Sequence, residues 1–280
     1  MRFARLLTGL LFATVAPAPT FAVAPAISPQ LGTDGQAGYR AFLDASAHRA
    51  FAIAPGGAFG WSAEKGSAAE AEAEALARCQ ANTRQKCVAY AVDRQTVFDA
   101  RAWPKLWGPY ATVEQAKHAP VGRNVGQRLP DLAFTTPGGA KKSLAGLRGK
   151  VSILHFWGTW CGPCRREMPD LQRLYKRIHA RHDVALVLLQ TRERFDVSQQ
   201  WASKQGIRLP LFDSGSTGED DDHFRLASGA KIRDREIAAL FPTTYVLDKH
   251  GVVVFANVGP VHDWPGYEAF ILDAAARSGK

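Results

Sequence analysis

Cys161-Gly162-Pro163-Cys164 places two thiols two residues apart, between an apolar run over 151–156 and a helix-forming stretch that ends near residue 181. A Cys-x-x-Cys pair at a strand-to-helix turn is a setting for thiol–disulfide exchange. The first turn of a helix carries unpartnered N–H groups and the positive end of the dipole, so a sulfur there ionises easily. Comparable first cysteines have a pKa of about 7, against about 8.5 for a free thiol. The spacing predicts Cys161 as the solvent-open attacking sulfur. Cys164, one turn further in, is then placed to resolve a mixed disulfide. Gly162 permits the turn, and Pro163 fixes φ where no N–H is needed.

The other two cysteines, Cys79 and Cys87, differ in character, with seven residues between them. Four cysteines allow three pairings, and proximity selects Cys79–Cys87 and Cys161–Cys164. A zinc site of four thiolates calls for two short Cys-x-x-Cys hairpins, and only one is present, so no metal is expected. Around this pair, runs at 50–55 and 58–62 flank Gly56-Gly57, a hairpin pattern. Ser67-x-x-Glu70 then opens a helix over 68–80 as a capping box. Cys79 ends that helix and Cys87 starts a strand over 87–92, so a bridge between them would be a structural staple. The pattern predicts a small ββαβ domain over 38–100.

At the start, Arg2 and Arg5 precede an apolar stretch from Leu6 to Ala16, with prolines and small residues up to Ala24. That order is expected of a secretory signal peptide over 1–24, followed by a flexible lead-in over 25–37. Export puts the cysteines where disulfides persist. Hydrophobic residues make up 46% and charged residues 22% of the 280, ordinary for a folded soluble chain. No run of 18 apolar residues occurs, which excludes a multi-span membrane protein. The formal charge is +9, but no dense basic stripe or nucleic-acid motif accompanies it, so no nucleic acid is expected. Residues 101–124 form an aromatic and Pro-rich linker in which Trp103, Trp107 and Tyr110 are expected to plug a seam between two domains.

The string Phe156-Trp157-Gly158-Thr159-Trp160-Cys161-Gly162-Pro163-Cys164-Arg165-Arg166-Glu167-Met168-Pro169 resembles the thioredoxin superfamily, and within it the TlpA/ResA-like branch of exported thiol–disulfide oxidoreductases. Phe241-Pro242-Thr243-Thr244 and the following hairpin match a second landmark of that branch, and Val125 to Asp131 its entry segment. The resemblance spans about 125–276. It implies a thioredoxin-like α/β fold over 125–280, a central mixed sheet flanked by helices. It implies a cis Pro242 beside the cysteines, with Trp160, Gly162, Pro163 and the Phe241 backbone meeting a bound extended peptide. It also implies a partly buried carboxylate at Glu167, able to relay protons for the cysteine pair; the alternative is a surface Glu favoured by the helix dipole. No cofactor is implied beyond the Cys161–Cys164 disulfide. Implied partners are exported proteins bearing thiols or disulfides, with a membrane electron donor for a reducing enzyme in the periplasm. Residues 38–100 resemble a small exported domain family of unknown function.

Departures from the branch narrow the reading. Thioredoxin carries a buried Asp six residues before its first cysteine, where this chain has His155, either a neutral core residue or a titrating one. Copper-handling relatives use three spacers and a later histidine; His250 or His262 could mimic the histidine, but the cysteines have two spacers. The acidic run Glu219 to Asp222 lacks the alternating spacing of a calcium loop and reads as solvated loop. A non-enzymatic redox switch or adaptor, docking through its first domain, is the rival from another class.

Overall fold

The computed structural model describes residues 31–279 except 32, 56, 84, 100, 262 and 263. The expected signal peptide and most of the expected lead-in lie outside the described residues. Chain order begins with helix α1 (Thr33–Asp44), strands β1 (Ala50–Ile53) and β2 (Phe59–Ser62), helix α2 (Ala68–Gln80), and strands β3 (Val88–Val92) and β4 (Gln95–Thr96). The four strands form an antiparallel sheet in the order β2-β1-β3-β4. Two expectations need correction here. The lead-in is helical from Thr33, and a helix precedes the ββαβ unit while a short fourth strand extends it. The cause is aromatic burial: Tyr39 and Phe42 on α1 are fully buried and meet Phe51 at 5.0 and 5.8 Å. Both sit one turn apart on the helix face turned to the sheet.

Helix α2 starts where its cap indicates. The Ser67 hydroxyl accepts from the Glu70 N–H, and the Glu70 carboxyl group accepts from the Gly66 N–H. Its alanine face lies directly on β2, because a Cβ at Gly60 would stand 2.3 Å from the Cys79 nitrogen. Ala50, Ala52, Ala71 and Ala75 fill the thin space between helix and sheet, together with the Cys79–Cys87 disulfide. Closing so short a loop contributes about 2–3 kcal/mol by chain entropy.

A single-turn 3-10 helix (Trp103–Leu106) and helix α3 (Val113–His118) make up the connection to the second half. Trp103 packs on Phe98 and Trp107 on Phe270, while the Tyr110 hydroxyl donates to Asp273. One apolar cluster consequently runs from Tyr39, Phe51 and Tyr90 through both tryptophans to Phe255 and Phe270.

The second half contains β5 (Ala133–Thr135), β6 (Lys141–Ser143), β7 (Val151–Trp157), α4 (Gly162–Ile178), β8 (Val184–Gln190), α5 (Phe195–Lys204) and β9 (Leu211–Phe212). It continues with β10 (His223–Arg225), β11 (Lys231–Arg233), α6 (Asp234–Ile237), β12 (Thr243–Leu247), β13 (Val253–Val258) and α7 (Glu268–Arg277). Its central sheet has the order β13-β12-β7-β8-β9. Strands β7, β8 and β9 are parallel, and β12 runs antiparallel to both β7 and β13. Every residue of β7 is buried, with Ile153 and Trp157 in one apolar cluster and Leu154 and Phe156 in the other. A strand covered on both faces reads as a continuous apolar run. That strand ends at the cysteine loop.

Candidate active site

Gly158-Thr159-Trp160 follow the C-terminal end of β7, the central strand of the sheet, and Cys161 is the N-cap of α4. The Cys161 Sγ accepts from the Cys164 N–H at 3.2 Å, so the sulfur takes one of the orphan donors of the helix start. The two cysteines form a disulfide. Cys161 is not solvent-open as the sequence suggested: it is 4% exposed and Cys164 is 0%. Its side chain turns back to cap its own helix and to bond Cys164, which leaves little of it outside. It remains the more exposed of the two.

Around the disulfide, the Trp160 ring meets the Phe241 ring edge-to-face at 5.4 Å, and the Phe241–Pro242 peptide is cis. The indole lies across Gly158, where a Cβ would come within 2.3 Å of Nε1. Trp160, next to the nearly covered sulfurs, stays 45% exposed, and Leu240, next to Phe241 in the chain, is 60% exposed. Gly162 and Pro163 form the first turn of α4, with the Arg166 guanidinium near Gly162. Cys79 and Cys87 belong to the alanine-rich cluster of the first sheet and take no part here.

The loop after β8 supports this turn, and sequence reasoning missed it. The buried Glu193 carboxyl group accepts from the Thr159 N–H at 3.0 Å, from the Thr159 hydroxyl, and from the Ser198 hydroxyl at 2.5 Å. Trp160 Nε1 donates to the Thr191 carbonyl at 2.9 Å. Arg192 adopts a left-handed backbone (φ 56°), uncommon for a non-glycine residue, and donates through Nε and a terminal amino group to the fully buried Asp234. The charged segment before the cis-proline is therefore anchored to the site through Asp234. The preceding acidic run is built into its own turn, since Asp221 accepts from Thr217 and the Asp222 carbonyl accepts from the Asp234 N–H. Nothing local ties Glu193 or Asp234 to the cysteine turn in the sequence, because Thr159 is 34 residues from Glu193 and Arg192 is 42 from Asp234.

Under the disulfide loop lie two more buried groups. Glu167 is not a surface residue: its Oε2 accepts from the Val261 N–H at 2.9 Å and from Trp264 Nε1 at 3.4 Å. Its Oε1 faces His155 Nε2 at 3.3 Å, and His155 Nδ1 lies 2.9 Å from the Thr244 hydroxyl. Burial pushes Glu167 up to about 8 and His155 down to about 3. Both directions disfavour charge.

A stability profile follows from those shifts. The raised Glu167 stabilises the fold below its ordinary value of 4.5, and that contribution is lost as pH rises toward about 8. The lowered His155 stabilises it above 6.5, and that contribution is lost as pH falls toward about 3. Between about pH 4.5 and 6.5 the two slopes cancel. Urea midpoints of the wild type relative to His155→Leu/Glu167→Met should therefore be flat across that window. They should fall on both sides; a monotonic difference would contradict the assignment of both shifts.

Residues 124–271 match the family described as Redoxin. The chain belongs to the Redoxin family. It is a TlpA/ResA-like member of the thioredoxin superfamily. The chain is 32% identical over 155 residues to the thioredoxin-like protein YneN of Bacillus subtilis (strain 168), covering 55% of this chain and 81% of that one. It is 29% identical over 135 residues to the thiol-disulfide oxidoreductase ResA of Bacillus thuringiensis (strain Al Hakam), covering 48% and 70%. Among solved structures it is similar to a thiol:disulfide interchange protein of the thioredoxin family from Chlorobium tepidum TLS, at 25% identity and a TM-score of 0.38, covering 53% and 95%. The matched segment of this Redoxin-family chain contains the disulfide, Glu167 and the cis-proline loop. Among the described residues no group of three or more His, Cys, Asp or Glu could hold a metal ion, and no helix is long and apolar enough to cross a membrane.

Proposed function

We propose that this oxidoreductase works through the Cys161/Cys164 dithiol, reducing or isomerising disulfides of exported proteins. The observation that carries the reading is a disulfide capping a helix N-terminus beside Trp160 and the cis Phe241–Pro242 loop. In the reduced protein, the Cys161 thiolate attacks one sulfur of a substrate disulfide, and the other sulfur leaves as a thiolate. Cys164 then gives up its proton, attacks Cys161 Sγ, and releases the second substrate thiolate. Glu167, one turn beyond Cys164, is the proposed acceptor of that proton. The backbone at Phe241 and the exposed Trp160 and Leu240 side chains offer an extended chain its contacts. Export rests on the leader read in the sequence, and reducing turnover there requires electrons from a membrane donor.

Gly-Pro between the cysteines favours the reducing direction, as in thioredoxin at about −270 mV rather than DsbA at about −120 mV. Equilibration with glutathione, read by thiol alkylation and mass, should place the Cys161–Cys164 couple well below about −150 mV. A potential above that value would overturn the reducing reading.

A further inference from the structure

Beneath the disulfide loop, two buried polar atoms face each other and nothing else. His155 Nε2 and Glu167 Oε1 are 3.3 Å apart, and neither has another partner. Leaving two such atoms desolvated and unbonded would be costly, and a proton between them satisfies both. The rest of the pair is held firmly. Thr244, opposite His155 in the β7–β12 register, binds Nδ1; Val261 and Trp264 bind the second Glu167 oxygen. The Trp264 ring also stands edge-on to the imidazole at 6.4 Å.

We infer that His155 is a positioning residue that shares one proton with Glu167, so that a two-residue pair, not a lone carboxyl group, holds the proton exchanged with Cys164. The inference rests on the dithiol reading and deepens it. When an external thiolate attacks Cys161 Sγ, a new S–S bond forms, the Cys161–Cys164 bond breaks, and Cys164 leaves as a thiolate. The pair's proton passes to that sulfur, and the pair is left with one negative charge. In the reverse step Cys164 returns the proton and its thiolate attacks Cys161 Sγ, expelling the bound chain as a thiolate.

Thr244 suits the exchange because a hydroxyl both donates and accepts. With Glu167 protonated, the carboxyl group donates to Nε2, and Nδ1–H donates to Thr244. Once the carboxyl proton has gone to Cys164, the ring's remaining proton moves from Nδ1 to Nε2; Nε2–H then donates to the carboxylate, and Nδ1 accepts from Thr244. The imidazole stays neutral in both states, so no cation is created in the core. Charge around the pair is sparse. On its own helix Asp170 acts on Glu167 and pushes it upward, while itself engaged by Arg173 and the Trp264 N–H. From β12 the facing group is Thr244, and from the segment before α7 they are the Val261 N–H and Trp264. Among the described residues no Lys or Arg acts on either member.

The test is a pH titration of the oxidised protein by NMR, reading Glu167 Cδ and the His155 ring nitrogens. Sharing predicts one common midpoint above neutrality for both, and an unmoving His155 in Glu167→Gln. His155 nitrogens that stay constant from pH 5 to 10 while Glu167 titrates would overturn it. In His155→Leu the carboxylate loses its only partner at Oε1. The Glu167 midpoint should then rise by at least about one unit, and the pH profile of insulin reduction should move with it, a tenfold rate change on its sloping limb. Should that variant not fold, His155→Gln, which keeps a donor toward Oε1, replaces it with a smaller expected shift; an unchanged midpoint in the folded variant counts against the pair. The titration needs no substrate. A shared midpoint in a protein inactive on insulin would keep the pair and remove the dithiol reading.

Discussion

Cys161→Ser should reduce dithiothreitol-driven insulin reduction to the uncatalysed rate, a loss of roughly 10³-fold or more. The serine hydroxyl can still accept the Cys164 N–H at the helix cap, so the fold should survive, as circular dichroism would confirm. What disappears is a sulfur able to ionise at the electropositive tip of α4 and to form a disulfide with substrate. Cys164→Ser should behave differently. It retains the attacking sulfur and loses the resolving one, so a mixed disulfide on Cys161 should accumulate with insulin and be released by added reductant. Burial decides this order: Cys164 has no exposed surface at all, and Cys161 keeps the little that the pair has. Turnover in Cys161→Ser equal to wild type, or a mixed disulfide on Cys164 in that variant, would defeat the mechanism.

The cysteine loop was legible in the sequence because its spacing is local. Cys161 to Cys164 sit in one turn, and the strand before them is apolar on both faces, so β7 and α4 follow from pattern alone. The hairpin that begins at Thr243 followed from the resemblance at Phe241-Pro242-Thr243-Thr244. Short elements did not. β9, β10, β11 and α6 comprise two to four residues each, and the charged ones resemble solvated loop until Asp234 is seen buried against Arg192. The start of α1 was hidden for a related reason. Its first turns contain Gly and polar residues, and their helical state depends on Tyr39 and Phe42 packing against a strand that comes later. His155 was visible as a departure from thioredoxin. Its partner was not, because Glu167 lies on another element and only the fold brings Nε2 and Oε1 together. Cys161 was expected to be open because helix electrostatics say which sulfur reacts and nothing about how far the side chain folds back.

Glu193→Ala should destabilise the protein by about 3–5 kcal/mol in urea unfolding, more than most single changes outside the apolar core. The carboxyl group is buried and receives the Thr159 N–H, the Thr159 hydroxyl and the Ser198 hydroxyl, and Ser198 is itself fully covered. Alanine leaves these donors unbonded, and each orphaned buried donor costs about 1–3 kcal/mol, less where water enters. Glu193→Gln keeps one accepting oxygen and turns an amide toward the remaining donors, so roughly half of the loss should persist. Activity should follow through Thr159, which directly precedes Trp160 and Cys161. Once that turn is free, Trp160 keeps its bond to Thr191 and its packing on Phe241, but Cys161 no longer starts the helix from a fixed point. A displacement of about 1 Å at a reacting atom can slow a reaction about 100-fold, so the folded fraction of Glu193→Ala should reduce insulin about 10- to 100-fold more slowly. A variant unfolding within about 1 kcal/mol of wild type would mean that water replaces the carboxyl group at Thr159 without loss. In that case the Trp160–Thr191 bond, the packing of Trp160 on Phe241 and the α4 cap are enough to fix the turn carrying Cys161.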